Sequence, residues 1–151
     1  MTTCHARFAA LVLVSACAPA AMTTVARERI GFEIQMRIAA DANQDYPVAI
    51  AMLLVYKAEV VSLLKQTSAD QWFEMREDFI REHAAEIDED VWEFVPGQQV
   101  PPLVHAPLPR AAQGVLFLRY RTPGTHRYFF DPRRSQRVVL GPDQVTITPI
   151  D

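Results

Sequence analysis

Beyond position 17 the chain has no cysteine: its two, Cys4 and Cys17, both fall within the first seventeen residues. Whatever folds downstream of Cys17 is therefore stabilised by packing rather than by an internal disulfide, and it offers no thiol nucleophile. Serine is nearly as scarce. After residue 16 there are Ser62, Ser68 and Ser135, none within a Gly-x-Ser-x-Gly elbow, which excludes that hydrolase route. The five glycines lie far apart and form neither Gly-x-Gly-x-x-Gly nor a Lys-bearing P-loop, so nucleotide binding has no support. His83, His105 and His126 stand alone, without the His-Glu-x-x-His spacing that presents two zinc ligands on one helical face, which leaves only a metal site assembled in space. Asp88-Glu89-Asp90 lacks the spaced oxygens and internal glycine of a calcium loop, and a formal charge of -3 argues against nucleic acid. Glu74 with Asp78, and Glu82 with Glu86, share helical faces and read as solvated acids rather than as an acid–base pair.

What is present begins at the N-terminus. A short basic segment ending in Arg7, an apolar run from Phe8 to Val14 and then small residues make a secretory signal too short to span a bilayer. Val14-Ser15-Ala16-Cys17 resembles the lipobox of bacterial lipoproteins, and the resemblance implies cleavage before Cys17 and acylation of that residue, with palmitate-type chains. Ordinary cleavage at a small-x-small site, such as Ala18-Pro19-Ala20, is the alternative. In lipoproteins of this kind Ala18, rather than an Asp, after the cysteine implies the outer membrane. Several acyl chains hold where one does not, because each buried methylene contributes about 0.8 kcal/mol. The chain accordingly divides into a signal peptide over 1–16, a lipidated Cys17 and tether over 17–27, and a single periplasmic domain over 28–151.

The domain opens on a strand in which Ile30, Phe32, Ile34, Met36 and Ile38 alternate with Gly31, Glu33, Gln35 and Arg37. The polar run Asp41 to Asp45 breaks it, and Tyr46-Pro47 opens a second strand, Val48 to Tyr56, so the two are expected to pair antiparallel across an exposed loop. The second strand is apolar on both faces: Val48, Ile50, Met52 and Leu54 toward one layer, Leu53 and Val55 toward another. A helix is the competing reading there. A short helix is expected within 57–66. A longer one follows, capped by Ser68 and Gln71, with Trp72, Phe73, Phe79, Ile80, His83, Ala84 and Ile87 on its apolar stripe. Asp88-Glu89-Asp90 is read as its exit, before a strand over 91–95. Prolines 101, 102, 107 and 109 restrict the next segment to an edge or polyproline-like path. Short strands over 115–121, 126–131, 137–140 and 145–150 complete the chain, with Thr122-Pro123-Gly124-Thr125 suited to a type II turn. The fold class is mainly β: a sandwich of seven or eight short strands with an inserted helical segment on one side.

Charge is segregated. Ten acids stand against Arg76 and Arg81 between Asp70 and Glu93, and seven arginines against Asp131 between Arg110 and Arg137. Either the blocks face each other within the fold, or each is a partner surface.

The order of elements carries a second resemblance. The lipobox, the alternating first strand, Tyr46-Pro47-Val48, Leu54-Val55-Tyr56-Lys57, an insertion bearing Trp72-Phe73, Val95-Pro96-Gly97-Gln98 and the strand from Gly114 to Arg121 together resemble the type VI secretion outer-membrane lipoproteins, the TssJ family. That resemblance implies a transthyretin-like sandwich held at the periplasmic face of the outer membrane. It further implies a structural adaptor, not an enzyme, that binds the periplasmic part of an inner-membrane TssM-like protein and needs no cofactor beyond the covalent lipid on Cys17. The family's partner contact maps onto Ala40, Asp41, Ala42, Asn43, Gln44 and Asp45, whose polar side chains, Asn43 and Asp45 included, are expected to be free. Two other readings stay open: a secretin pilot lipoprotein with a cleft lined by Trp72, Phe79 and Trp92, or a small periplasmic ligand binder or cell-wall enzyme using His105 or His126 with a carboxylate.

Overall fold

A computed structural model describes residues 31–105 and 111–150. Cys17, the tether, Ile30 and prolines 107 and 109 lie outside the described residues. Eight strands form two four-stranded sheets: β1 (Phe32–Ile38), β2 (Val48–Val55), β3 (Ile87–Phe94), β4 (Leu103–His105), β5 (Gln113–Arg119), β6 (Arg127–Phe130), β7 (Gln136–Leu140) and β8 (Val145–Pro149). One sheet has the order β4-β1-β7-β8 and the other β3-β2-β5-β6. Two helices, α1 (Ala58–Leu64) and α2 (Ala69–Glu82), are inserted between β2 and β3. The architecture is the mainly β sandwich with a helical insertion that the strand pattern called for.

Two-sided burial of β2 organises it. Val48, Ile50, Met52 and Leu54 pack between the sheets with Phe32, Ile34, Ile38, Leu116, Leu118, Val138 and Leu140. Ala51, Leu53 and Val55 face the other way and pack with Val115 and Phe117 under Val60, Val61, Leu64 and Trp72 of the helices. Trp72 is fully buried, lies flat on Phe117 with centroids 5.1 Å apart, and donates its indole N–H to Glu89 at 3.2 Å. The capping box at the start of α2 is present in full: Ser68 Oγ accepts from Gln71 N, and Gln71 Oε1 accepts from Ser68 N.

Three expectations are corrected. The first two strands do not pair with each other: β1 runs parallel to β7 and antiparallel to β4, while β2 lies between β3 and β5 in the opposite sheet. The alternation of β1 and the continuous apolarity of β2 suit different sheets, and the turn between them crosses the sandwich. Asp88, Glu89 and Asp90 do not end a helix. They belong to β3, which pairs with β2 over its whole length from Ile87 to Phe94, and an edge strand tolerates such acids because they reach water or a cation. Glu89 is held by Arg76 at 2.8 Å, and that carboxylate raises the guanidinium's pKa further. Finally, the turn at 122–125 is not type II: the left-handed backbone falls on His126 (φ 41) and not on Gly124.

Replacing Trp72 by Ala opens a void between α2 and β5 and orphans Glu89's share of the indole bond. The expected loss is about 3–5 kcal/mol in urea unfolding; a loss below 1 kcal/mol would show that α2 is not a structural layer.

Candidate functional site

Strand direction sorts the loops into two poles. β1 enters at Phe32 and runs to Ile38, about 20 Å away at the usual rise per residue. The connection 39–47, the turn after β3 at 95–98, the β5–β6 connection at 120–126 and the β7–β8 turn at 141–144 all lie at this far pole, as the pairings Ile38 with Leu140, Val48 with Phe94 and Phe117 with Arg127 require. The first residue of β1, Phe32, lies at the other.

The predicted contact loop is a tight left-handed turn. Asn43, Gln44 and Asp45 take φ of 50, 57 and 67, a run of non-glycine residues that only a dense set of bonds sustains. Those bonds converge on Asn43, which is 2% exposed. Its N–H donates to Gly141 O at 3.1 Å, its side-chain amide donates to Pro47 O at 2.8 Å, and its Oδ1 accepts from Arg121 N at 2.7 Å. Gly141 O also accepts from Tyr120 Oη at 3.0 Å, and burial pushes that phenol well above its usual range. Around them, Gly97 N donates to Ala39 O, Gln44 Nε2 to Asp143 Oδ1 at 3.0 Å, and Thr122 Oγ1 to Asp143 O at 3.1 Å.

Of the six residues assigned to this loop, Ala40, Asp41, Gln44 and Asp45 are exposed, whereas Ala42 and Asn43 are buried. The expectation that Asn43 is a free recognition side chain is therefore corrected: it is the tie that holds the loop to two neighbouring turns. Asparagine is among the few residues that accept the left-handed region, and its amide bridges backbone groups no apolar side chain reaches. The structure adds residues to this pole that the linear sequence did not mark. Tyr46, half exposed, carries the Arg121 guanidinium 3.8 Å above its ring. A hollow of about 420 Å³ opens at the β7–β8 turn, lined by Val139, Gly141, Pro142, Asp143, Gln144 and Thr146.

The alternative sites are not assembled. Trp72 and Phe79 lie on the sheet-facing side of α2, while Trp92 packs against the core on the opposite face of the same sheet, so the three line no common cleft. His126 stacks on Tyr120 and its Nε2 lies 2.6 Å from Thr122 O. His105 does approach a carboxylate, with Nδ1 3.5 Å from Asp90, but its ring stacks on Phe32 at 5.1 Å and its Nε2 is buried without a partner. Burial lowers its pKa, against a smaller opposing effect of Asp90. The hollow at the loop pole contains no histidine. Among the described residues no cluster of three metal-ligating side chains occurs.

No family model and no curated protein matches the sequence. Among solved structures, the fold is similar to the T6SS lipoprotein TssJ1 from Pseudomonas aeruginosa, with a TM-score of 0.64 at 15% identity over 82% of this chain and 98% of that one. It is also similar to Serratia marcescens Lip, a membrane-bound component of the type VI secretion system, with a TM-score of 0.57 at 16% identity over 82% of this chain and 97% of that one. A chain in the structure of the T6SS protein TssM C-terminal domain from EAEC aligns with a TM-score of 0.55 at 12% identity, over 80% of this chain and 98% of that one. At such identities the likeness is one of fold, and it is the TssJ-like fold.

Asn43→Ala is expected to cost about 2 kcal/mol or more in chemical unfolding, because Pro47 O and Arg121 N lose their partner and Ala resists a φ of 50. Asp41→Ala, at an exposed position of ordinary φ, is expected to stay within about 0.5 kcal/mol; equal effects would refute the hub role of Asn43. His105 supplies a pH test. Its folded-state pKa is depressed, so its stabilising contribution is complete above the unfolded value of about 6.5 and is lost as pH falls toward the folded one. His105→Phe keeps the stack on Phe32, and thermal melts between pH 7 and pH 5 are expected to show a shallower loss than in the parent protein; an unchanged slope would count against His105.

Proposed function

We propose that this chain is a lipid-anchored periplasmic adaptor of a type VI-like secretion membrane complex, and that it acts by holding rather than by catalysis. The observation that carries the reading is polarity. The chain enters the sandwich at one pole, and the loop that the TssJ resemblance singles out is braced at the other, about 20 Å away along β1. A domain hung by its N-terminus from the inner leaflet of the outer membrane then presents that loop toward the periplasm. In this reading residues 1–16 are removed, Cys17 is acylated, residues 17–27 form the tether, and Ala40, Asp41, Gln44 and Asp45 supply the polar part of a contact with the periplasmic region of a TssM-like inner-membrane protein. Support comes from the fold shared with a T6SS lipoprotein and a membrane-bound T6SS component, and from a chain of this fold in a structure that carries the TssM C-terminal domain.

Two links in series transmit load between the membranes: acyl chains in the leaflet and a protein contact at the loop pole. The second depends on a rigid presentation, which the Asn43 bonds provide, since ordering a loose loop on binding reduces affinity. Cys17→Ser is expected to abolish incorporation of labelled palmitate and to release the protein from the outer-membrane fraction. Incorporation at the parental level would end the lipoprotein reading.

A further inference from the structure

Resting on that reading and deepening it, we infer that the anchor of the partner contact is the stacked pair Tyr46 and Arg121, and that it takes a carboxylate-bearing loop of the partner. Both residues are exposed, and neither belongs to the six-residue loop segment. A single residue assembles them: the Asn43 backbone carbonyl accepts from Tyr46 N at 3.2 Å while its side-chain Oδ1 accepts from Arg121 N at 2.7 Å. The guanidinium carbon of Arg121 lies 3.8 Å from the Tyr46 ring centroid, which occupies one face of the planar group and leaves its in-plane N–H donors at the edges. Among the described residues no carboxylate pairs with that guanidinium. Asp143, the acid bonded into this pole, instead accepts from Gln44.

A planar cation already ordered on an aromatic ring fits one class of group best. A carboxylate accepts two parallel N–H bonds from the guanidinium edge, and the fixed fork spares the entropy that a free arginine would lose on binding. Tyrosine and arginine are also the residue types that dominate interface energetics when they sit centrally. Tyr46 supplies the apolar surface that shields such a pair from water, and the pole faces away from the chain's entry into the sandwich. The exposed carboxylate of Asp45, next to Tyr46 in the chain, disfavours a partner whose acids are not aligned with Arg121, which makes the geometry selective.

The test places a photoreactive benzoylphenylalanine at the exposed Pro47 position of the full-length, lipidated chain in its own cells, with a second reporter at Glu74 on α2. The expected result is a crosslink from position 47 to an inner-membrane protein, at a peptide containing Asp or Glu, whose yield falls at least about fivefold in both Tyr46→Ala and Arg121→Lys. Both variants should retain the parental thermal midpoint. Arg121→Lys matters because it keeps the charge while removing the planar fork. A crosslink from 47 to a different envelope protein with the same sensitivity would keep the anchor and overturn the secretion-complex reading. A crosslink to the inner-membrane protein that neither variant weakens, a product peptide without an acid, a lipid product, or capture from Glu74 alone would overturn the anchor and leave that reading standing. No product from either reporter would overturn both.

Discussion

The fold depends on one strand being covered twice. β2 has no polar face to give to water, so it needs a sheet on one side and a helical layer on the other, and each neighbour follows from that demand. Met52 and Leu54 meet the inward residues of the opposite sheet, while Leu53 and Val55 meet Val60, Val61 and Leu64. Trp72 closes the outer layer by stacking on Phe117 of the adjacent strand. The inserted helices are thus a structural wall, and their apolar stripe is spent on the core rather than reserved for a partner.

The helical side is committed to packing, while the loops at the far pole are held unusually tightly for surface connections. Three consecutive left-handed residues store strain that the bonds from Gly141, Pro47 and Arg121 to Asn43 offset. The consequence is a turn whose exposed side chains have a defined direction. In the adaptor role proposed above, pre-organisation of this kind would suit a contact in which slow dissociation matters more than adaptability.

Among the described residues, Arg119 of the arginine-rich block meets Asp70 of the acidic one at 3.8 Å between exposed groups, a geometry worth little in water. Other pairs stay inside the acidic stretch, such as Arg76 with Glu89 and Arg81 with Asp78, or engage Lys57, which lowers the pKa of Glu86 together with His83. Arg127 is turned inward to donate to Thr67 O. The acidic face of α2 is a solvated surface.

Much of this was legible in the chain alone, because periodicity and caps are local. Alternation marked β1, unbroken apolarity marked β2 as central, Ser68 and Gln71 marked the start of α2, and proline density confined Leu103–His105 to an edge. The sequence by itself also carried the order of motifs that resembles the TssJ family, and the connection over 40–45 was singled out through that resemblance alone. Only the tertiary structure decided the rest. A strand's pattern says how many of its faces are buried but not which strand lies beside it, so the parallel pairing of β1 with β7 was invisible. The acids of β3 read as a helix exit because nothing local reveals that Trp72 and Arg76 wait opposite Glu89. Asn43 reads as a surface polar residue for the same reason: its two side-chain partners lie 4 and 78 residues away, and the distant one is a backbone group that no side-chain pattern announces.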